Sequence, residues 1–217
     1  MSRRAEARCR SPRVLSAVLL FVLSASGVAA VQTLSIAETE ALVRASYFEG
    51  MPEEAAARIG PAGAQRLLEM LLDPEEGRSH GQILLALGLC GSPDAMTAIL
   101  GWVSTPRTGE IDRDTFKAWQ ALPYAFGHLA RFDRRAIVHL ESLMNAQAPG
   151  WTFRHHRGAR LRDLARRSAA TSLALTGLPE ARRALDRASR EASDARFEEH
   201  LRNARALHAE RAREVAR

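Results

Sequence analysis

The stretch Ala86–Leu100, ALGLCGSPDAMTAIL, most constrains what this chain can become. An apolar run stops at Gly-Ser-Pro-Asp and starts again at once as a second apolar pattern. Ile83, Leu84, Leu87 and Leu89 precede the break at helical spacing, and Ala95, Ala98, Ile99 and Trp102 follow it. Gly88 and Gly91 end the first run, where glycine tolerates the left-handed conformation that closes a helix. Ser92 suits an N-cap, Pro93 the first helical position, and Asp94 the positive end of the helix dipole. The break therefore predicts a turn between two antiparallel helices.

The same grammar recurs. AWQALPYAFGHLARFDRRAIVHLESLM turns at Ala130–Asp133, and RRSAATSLALTGLPEARRAL turns at Gly177. ARIGPAGAQRLLEMLLD is a weaker, earlier copy in which Gly60-Pro61 precedes Leu67, Leu68, Met70 and Leu71. Turn positions Gly91, Ala130 and Gly177 lie 39 and 47 residues apart. Helix pairs at a period of roughly 40–47 residues mark HEAT-type solenoids. Alanines 86, 95, 98, 170, 174, 181 and 184 let such helices approach closely while Leu and Ile fill the gaps.

The segment ALGLCGSPDAMTAILGWV resembles the HEAT-like repeat first associated with phycobilisome lyases, and GLPEARRAL resembles its second half. The resemblance spans roughly residues 52–190 and implies architecture, not chemistry. It implies an all-α fold, an α-solenoid of about four antiparallel helix pairs over 31–192. A charged C-terminal helix over 193–217 caps it, packed at its start through Phe197, Leu201, Ala204 and Leu207 and frayed at its end. Adaptors and a few enzymes share this repeat. The enzymes that bind iron through His-Glu dipeptides are a poor match, because this sequence contains no such dipeptide.

The N-terminus reads as a secretory signal peptide. Arg3, Arg4, Arg8, Arg10 and Arg13 form a basic head, an apolar run follows from Val14, and Val28-Ala29-Ala30 offers small residues for cleavage after Ala30. The alternative is an uncleaved anchor, since the run to Val31 is just long enough to span a bilayer. The head also carries much of the net charge of +6. Residues 31–150 hold 10 basic and 15 acidic side chains, and residues 151–217 hold 16 and 9. The C-terminal part is thus electrostatically biased. Beyond the head Cys90 is the sole cysteine, so no internal disulfide forms there.

No catalytic constellation is legible. The sequence lacks a Gly-x-Ser-x-Gly elbow, a phosphate-cradling glycine loop and a His-Glu-x-x-His pair. His155-His156 are adjacent and flanked by arginines that repel a cation, which disfavours a metal site. The chain is read as a non-enzyme that needs no cofactor. An enzyme using His139 or His155 with an acid is the competing reading, and a self-assembling envelope module is another.

Two surfaces are candidates for partner binding. In helix-pair solenoids the second helices line the concave face, here roughly 93–103, 133–146 and 179–190. Thr97, Arg135, His139, Ser142, Arg183, Arg187 and Arg190 are left facing outward on helical phase. The second surface is the connector NAQAPGWTFRHHRGAR and the helix start after it. Six arginines occur from Arg154 to Arg167, Arg157 among them, with Trp151 and Phe153 just before. Arginine grips carboxylate or phosphate at two points, and aromatics add contact area. The alternative is a solvated helix face with Asp163 and Arg167 paired at i, i+4. An acidic protein, lipid headgroup or cell-envelope polymer fits the charge better than nucleic acid does in an exported, nearly neutral chain.

Overall fold

The computed structural model describes residues 32–48 and 50–216, so the signal-peptide reading of residues 1–30 lies outside the described residues. The chain is all-α in class. Its helices are α1 (Ile36–Arg44), α2 (Glu53–Ala56), α3 (Pro61–Leu72), α4 (His80–Cys90), α5 (Ala95–Ser104), α6 (Arg113–Leu129), α7 (Arg135–Asn145), α8 (Gly158–Thr176), α9 (Pro179–Glu191) and α10 (Ala195–Val215). A 3-10 turn, Pro74–Ser79, leads into α4. Among the described residues no helix is long and apolar enough to cross a membrane.

Local chemistry explains the element ends. Ser35 and Glu38 form a reciprocal capping box that satisfies two otherwise orphan donors at the start of α1. Asp112 accepts from the backbone N–H groups of Asp114 and Thr115, both at 2.8 Å, and so fixes the start of α6. Pro61 and Pro179 stand in the first turns of α3 and α9, where a missing N–H costs nothing. Gly91 and Gly177 close α4 and α8 at φ 65 and 66, as the apolar-to-glycine pattern predicts. Pro123 lies inside α6, and the buried face of Leu122, Ala125, Phe126 and Leu129 keeps the helix running past it.

Two expectations need correction. Helix α5 starts at Ala95 and not at Pro93; Ser92 makes no side-chain cap and accepts through its carbonyl from the N–H of Ala95. Gly88 sits inside α4 and closes no turn: a Cβ there would lie 2.4 Å from the carbonyl oxygen of Ala125, so this glycine brings α4 and α6 together. Helix α10 continues to Val215. His208 Nε2 lies 2.9 Å from the carbonyl of Leu178 and ties the later turns of α10 down. The connector that carries the basic segment also pairs with the loop after α5. β1 (Gly109–Glu110) and β2 (Trp151–Thr152) form a short parallel ladder in register Gly109–Trp151 and Glu110–Thr152.

The helices pack in a consistent order. α4 lies against α6, α6 against α8, and α8 against α10; α7 and α9 touch each other and also α8. One continuous core runs from Val43 to Ala204, with Leu84, Leu87, Phe126, Leu129, Leu140, Leu173 and Leu185 inaccessible or nearly so. Each such leucine contributes on the order of 1.5–3 kcal/mol of transfer free energy. Ala86, Ala95, Ala170, Ala174, Ala181 and Ala184 are fully buried, in keeping with their expected role at close helix contacts. A second small cluster, Phe116, Trp151 and Leu161, sits beneath the β1–β2 pairing.

Candidate partner-binding surface

The basic segment is built from the aromatic cluster upward. Trp151 on β2 is 7% exposed and meets Trp119 of α6 edge-on, ring centroids 5.0 Å apart. Phe153 stacks on Phe116 at 4.1 Å. The Ile111 N–H donates to the Thr152 carbonyl at 2.9 Å, which extends the β1–β2 ladder by one bond. Phe153 and His156 then exchange backbone hydrogen bonds of 3.1 and 2.7 Å. That closed turn lifts Arg154 and His155 into solvent at its tip. Arg154 adopts φ 48, a left-handed conformation that costs a non-glycine residue about 1–2 kcal/mol.

Trp151 is therefore not the surface aromatic that the sequence suggested. Its indole is spent on anchoring the segment to α6, and little of it is left exposed. Phe116 and Trp119, which do the anchoring, stand more than 30 residues earlier in the chain and carry no local signal of that role.

The arginines divide into two sets. On α7 and α9 the guanidinium groups of Arg135, Arg183 and Arg187 are engaged, and that of Arg190 forms no ion pair among the described residues. Arg135 pairs with Asp133 at 2.6 Å, Arg183 approaches Glu180 at 3.8 Å, and Arg187 grips Glu141 with two bonds of 2.7 Å. The side-chain hydrogen bonds to these carboxylates push Arg135 and Arg187 above the usual guanidinium range and hold Asp133 below the usual carboxylate range. Thr97, Ser142 and Arg190 are exposed as expected. His139 is only half-exposed, because its ring stacks on Phe126 with centroids 5.4 Å apart.

At the start of α8 the pattern reverses. Arg154, Arg157, Arg160 and Arg162 are exposed, and none forms an ion pair among the described residues. Farther along, Arg166 pairs with Asp163 and Asp194, and Arg167 pairs with Asp163 as the i, i+4 spacing predicts. Helix α8 has no side-chain N-cap bond and no acidic residue in its first turn. Its first N–H groups and the positive end of its dipole thus lie in a segment that carries Arg154, Arg157 and Arg160 and no carboxylate. Like charge at that end of a helix is the unfavourable arrangement, and an incoming anion relieves it.

Among the described residues no group of three or more His, Cys, Asp or Glu is placed to hold a metal ion. His155 is exposed at the turn tip, and His139 is far from it in sequence and on another helix. Cys90 is a free, partly buried thiol whose pKa is raised by burial. No family model, no curated protein and no solved structure matches this chain.

Proposed function

We propose that this chain is an exported, non-catalytic binding module. In this reading it is a HEAT-like α-solenoid of about four antiparallel helix pairs closed by α10, and it holds an acidic protein partner. The stacking order supports the architecture: α4, α6, α8 and α10 follow one another as neighbours, and α7 and α9 lie side by side. The observation that carries the binding reading is the segregation of the arginines. Arg135, Arg183 and Arg187 on the second helices are paired with Asp133, Glu180 and Glu141, and only Arg190 of the outward-facing arginines there has no such partner among the described residues. Arg154, Arg157, Arg160 and Arg162, by contrast, all stand without an ion pair among the described residues, in the segment that leads into and begins the uncapped helix α8. The contact surface is therefore centred on residues 154–162, with α7 and α9 as its secondary flank.

Fluorescent poly-L-glutamate serves as the first probe and an envelope extract as the second. The full chain is expected to bind the polymer in low salt and to lose it as salt rises, because exposed charge contacts are screened. Arg157→Glu/Arg160→Glu should abolish the binding, whereas Arg183→Glu/Arg187→Glu should leave most of it. An acidic protein captured from the extract should show the same dependence. Binding that ignores both salt and Arg157→Glu/Arg160→Glu would overturn the reading, and capture of the chain's own copies alone would replace it with self-assembly.

A further inference from the structure

A cavity of about 270 Å³ lies where α2, α6, α8 and α10 come together. It is lined by none of the basic segment's residues. Glu53 comes from α2, Tyr124 and His128 from α6, Arg131 from the turn after it, and Ser172 from α8. Leu175 supplies an apolar wall, and Val215, 71% exposed, stands at the rim. The space is enough for one small molecule.

Three polar groups in this cavity, on Ser172, Glu53 and Arg131, are unspent. Ser172 is 1% exposed, and its Oγ has no hydrogen-bond partner. A buried hydroxyl left so costs on the order of 1–3 kcal/mol. At Gly127 a Cβ would sit 3.2 Å from the Ser172 Cβ, so α6 and α8 run in close contact beside the hydroxyl. Arg211 and Glu214 pair with each other at 2.7 Å and neutralise one rim. Glu53 and Arg131 line the same cavity, and neither forms an ion pair among the described residues. Burial holds His128 below the usual histidine range; Glu53 pulls it back up and Arg131 pushes it further down. A neutral imidazole offers one donor and one acceptor.

These charges specify the ligand. A plain anion on Arg131 meets the Glu53 carboxylate, and a plain cation on Glu53 meets Arg131. A molecule that carries both signs satisfies both. We propose that the cavity binds a small zwitterion of amino-acid size, with its carboxylate on Arg131, its ammonium on Glu53 and a polar atom on Ser172. Leu175 then receives a small apolar side chain. This site is independent of the partner surface: α8 supplies Ser172 near its C-terminal end, whereas the basic segment surrounds its start.

Calorimetric titration of the full chain tests the assignment, with glycine, L-serine and L-valine as probes. N-acetyl-L-valine, which lacks the ammonium, and L-valinamide, which lacks the carboxylate, are the paired controls. At least one free amino acid should bind, and each blocked valine should bind about tenfold more weakly than L-valine, the loss expected for one charged contact. Glu53→Gln should remove the discrimination against N-acetyl-L-valine, and Arg131→Gln that against L-valinamide. Both side chains are exposed, so the variants keep the core, and a melting curve checks that they do. Ser172→Ala should weaken all probes severalfold. Arg157→Glu/Arg160→Glu should change nothing, which separates this site from the partner surface. No binding tighter than about 10 mM by any free amino acid overturns the proposal. So does equal affinity for the blocked valines, or affinity that Glu53→Gln and Arg131→Gln leave intact.

Discussion

Arg187 on α9 donates two hydrogen bonds to Glu141 on α7, Nε to Oε1 and Nη2 to Oε2, both at 2.7 Å. Forty-six residues separate the partners, and the bond joins two helices that the repeat reading places side by side. The fork geometry of arginine matches the carboxylate at two points. Both side chains keep solvent contact, so the pair orders the surface more than it stabilises the core. A double-mutant cycle with Arg187→Ala and Glu141→Ala should show a small favourable coupling in denaturant melts at low salt. High salt should shrink it, and a coupling that is absent at low salt would dissolve the pair in solution. Glu141→Ala also frees Arg187, so poly-L-glutamate affinity should rise in that variant.

Gly88 offers a sharper stability test. The close approach of α4 to α6 leaves no room for a methyl group, since a Cβ at this position meets backbone and not a side-chain tip. Gly88→Ala should destabilise the fold by about 1–3 kcal/mol through overpacking, despite the better helix propensity of alanine. Gly101→Ala on α5, where nothing lies within 4 Å, should instead be neutral or mildly stabilising. The comparison of denaturant midpoints reads packing directly, and equal shifts at the two positions would contradict the close approach.

Helix ends are the most legible part of the chain. Gly91, Gly177, Pro61 and Pro179 announce themselves because capping is settled within a few residues. Helix α5 starts two residues beyond the position its sequence favours, for the same local reason: Ser92-Pro93-Asp94 offers several acceptable caps, and packing of Ala95 decides among them. Contacts between distant segments are not legible. The pairing of Glu110 with Thr152, the anchoring of Trp151 on Trp119 and the meeting of Glu53, His128, Ser172 and Glu214 depend on how helices settle, and no spacing encodes them. Helical phase correctly puts Arg183 and Arg187 outside but is blind to their carboxylate partners.

His128 should leave a mark on the pH dependence of stability. Its ordinary pKa in an unfolded chain is about 6.5, and in the folded chain burial lowers it. Between the two values the unfolded state binds more protons, so stability rises with pH through that window. The contribution is complete above the unfolded value and is lost as the pH falls below it. His128→Gln should therefore flatten the stability profile between about pH 7 and pH 5 relative to the parent chain. Chemical melts across that range provide the measurement, and parallel profiles would remove His128 from the titrating set. The opposing pull of Glu53 adds a second expectation: Glu53→Gln should steepen the acid-side loss.

Trp151 separates anchoring from recognition. If its indole met a partner, Trp151→Ala would weaken binding and leave the fold alone. Its burial against Trp119, in the cluster with Phe116 and Leu161, requires the opposite order of effects. Truncation removes a large buried side chain from that small cluster, and relaxation there can only be partial, so the fold should lose about 3–5 kcal/mol. The same change releases β2 from its seat, and the Phe153–His156 turn loses the base that presents Arg154. Poly-L-glutamate affinity should then fall as well, but only as a consequence of the loosened segment. Trp151→Phe keeps an aromatic ring in the cluster and should retain most of the affinity at a smaller stability cost. Amide hydrogen exchange at Thr152 and Phe153 distinguishes the two routes: protection should collapse in Trp151→Ala and persist in Trp151→Phe. Unchanged protection in the alanine variant, together with lost binding, would return Trp151 to the contact surface.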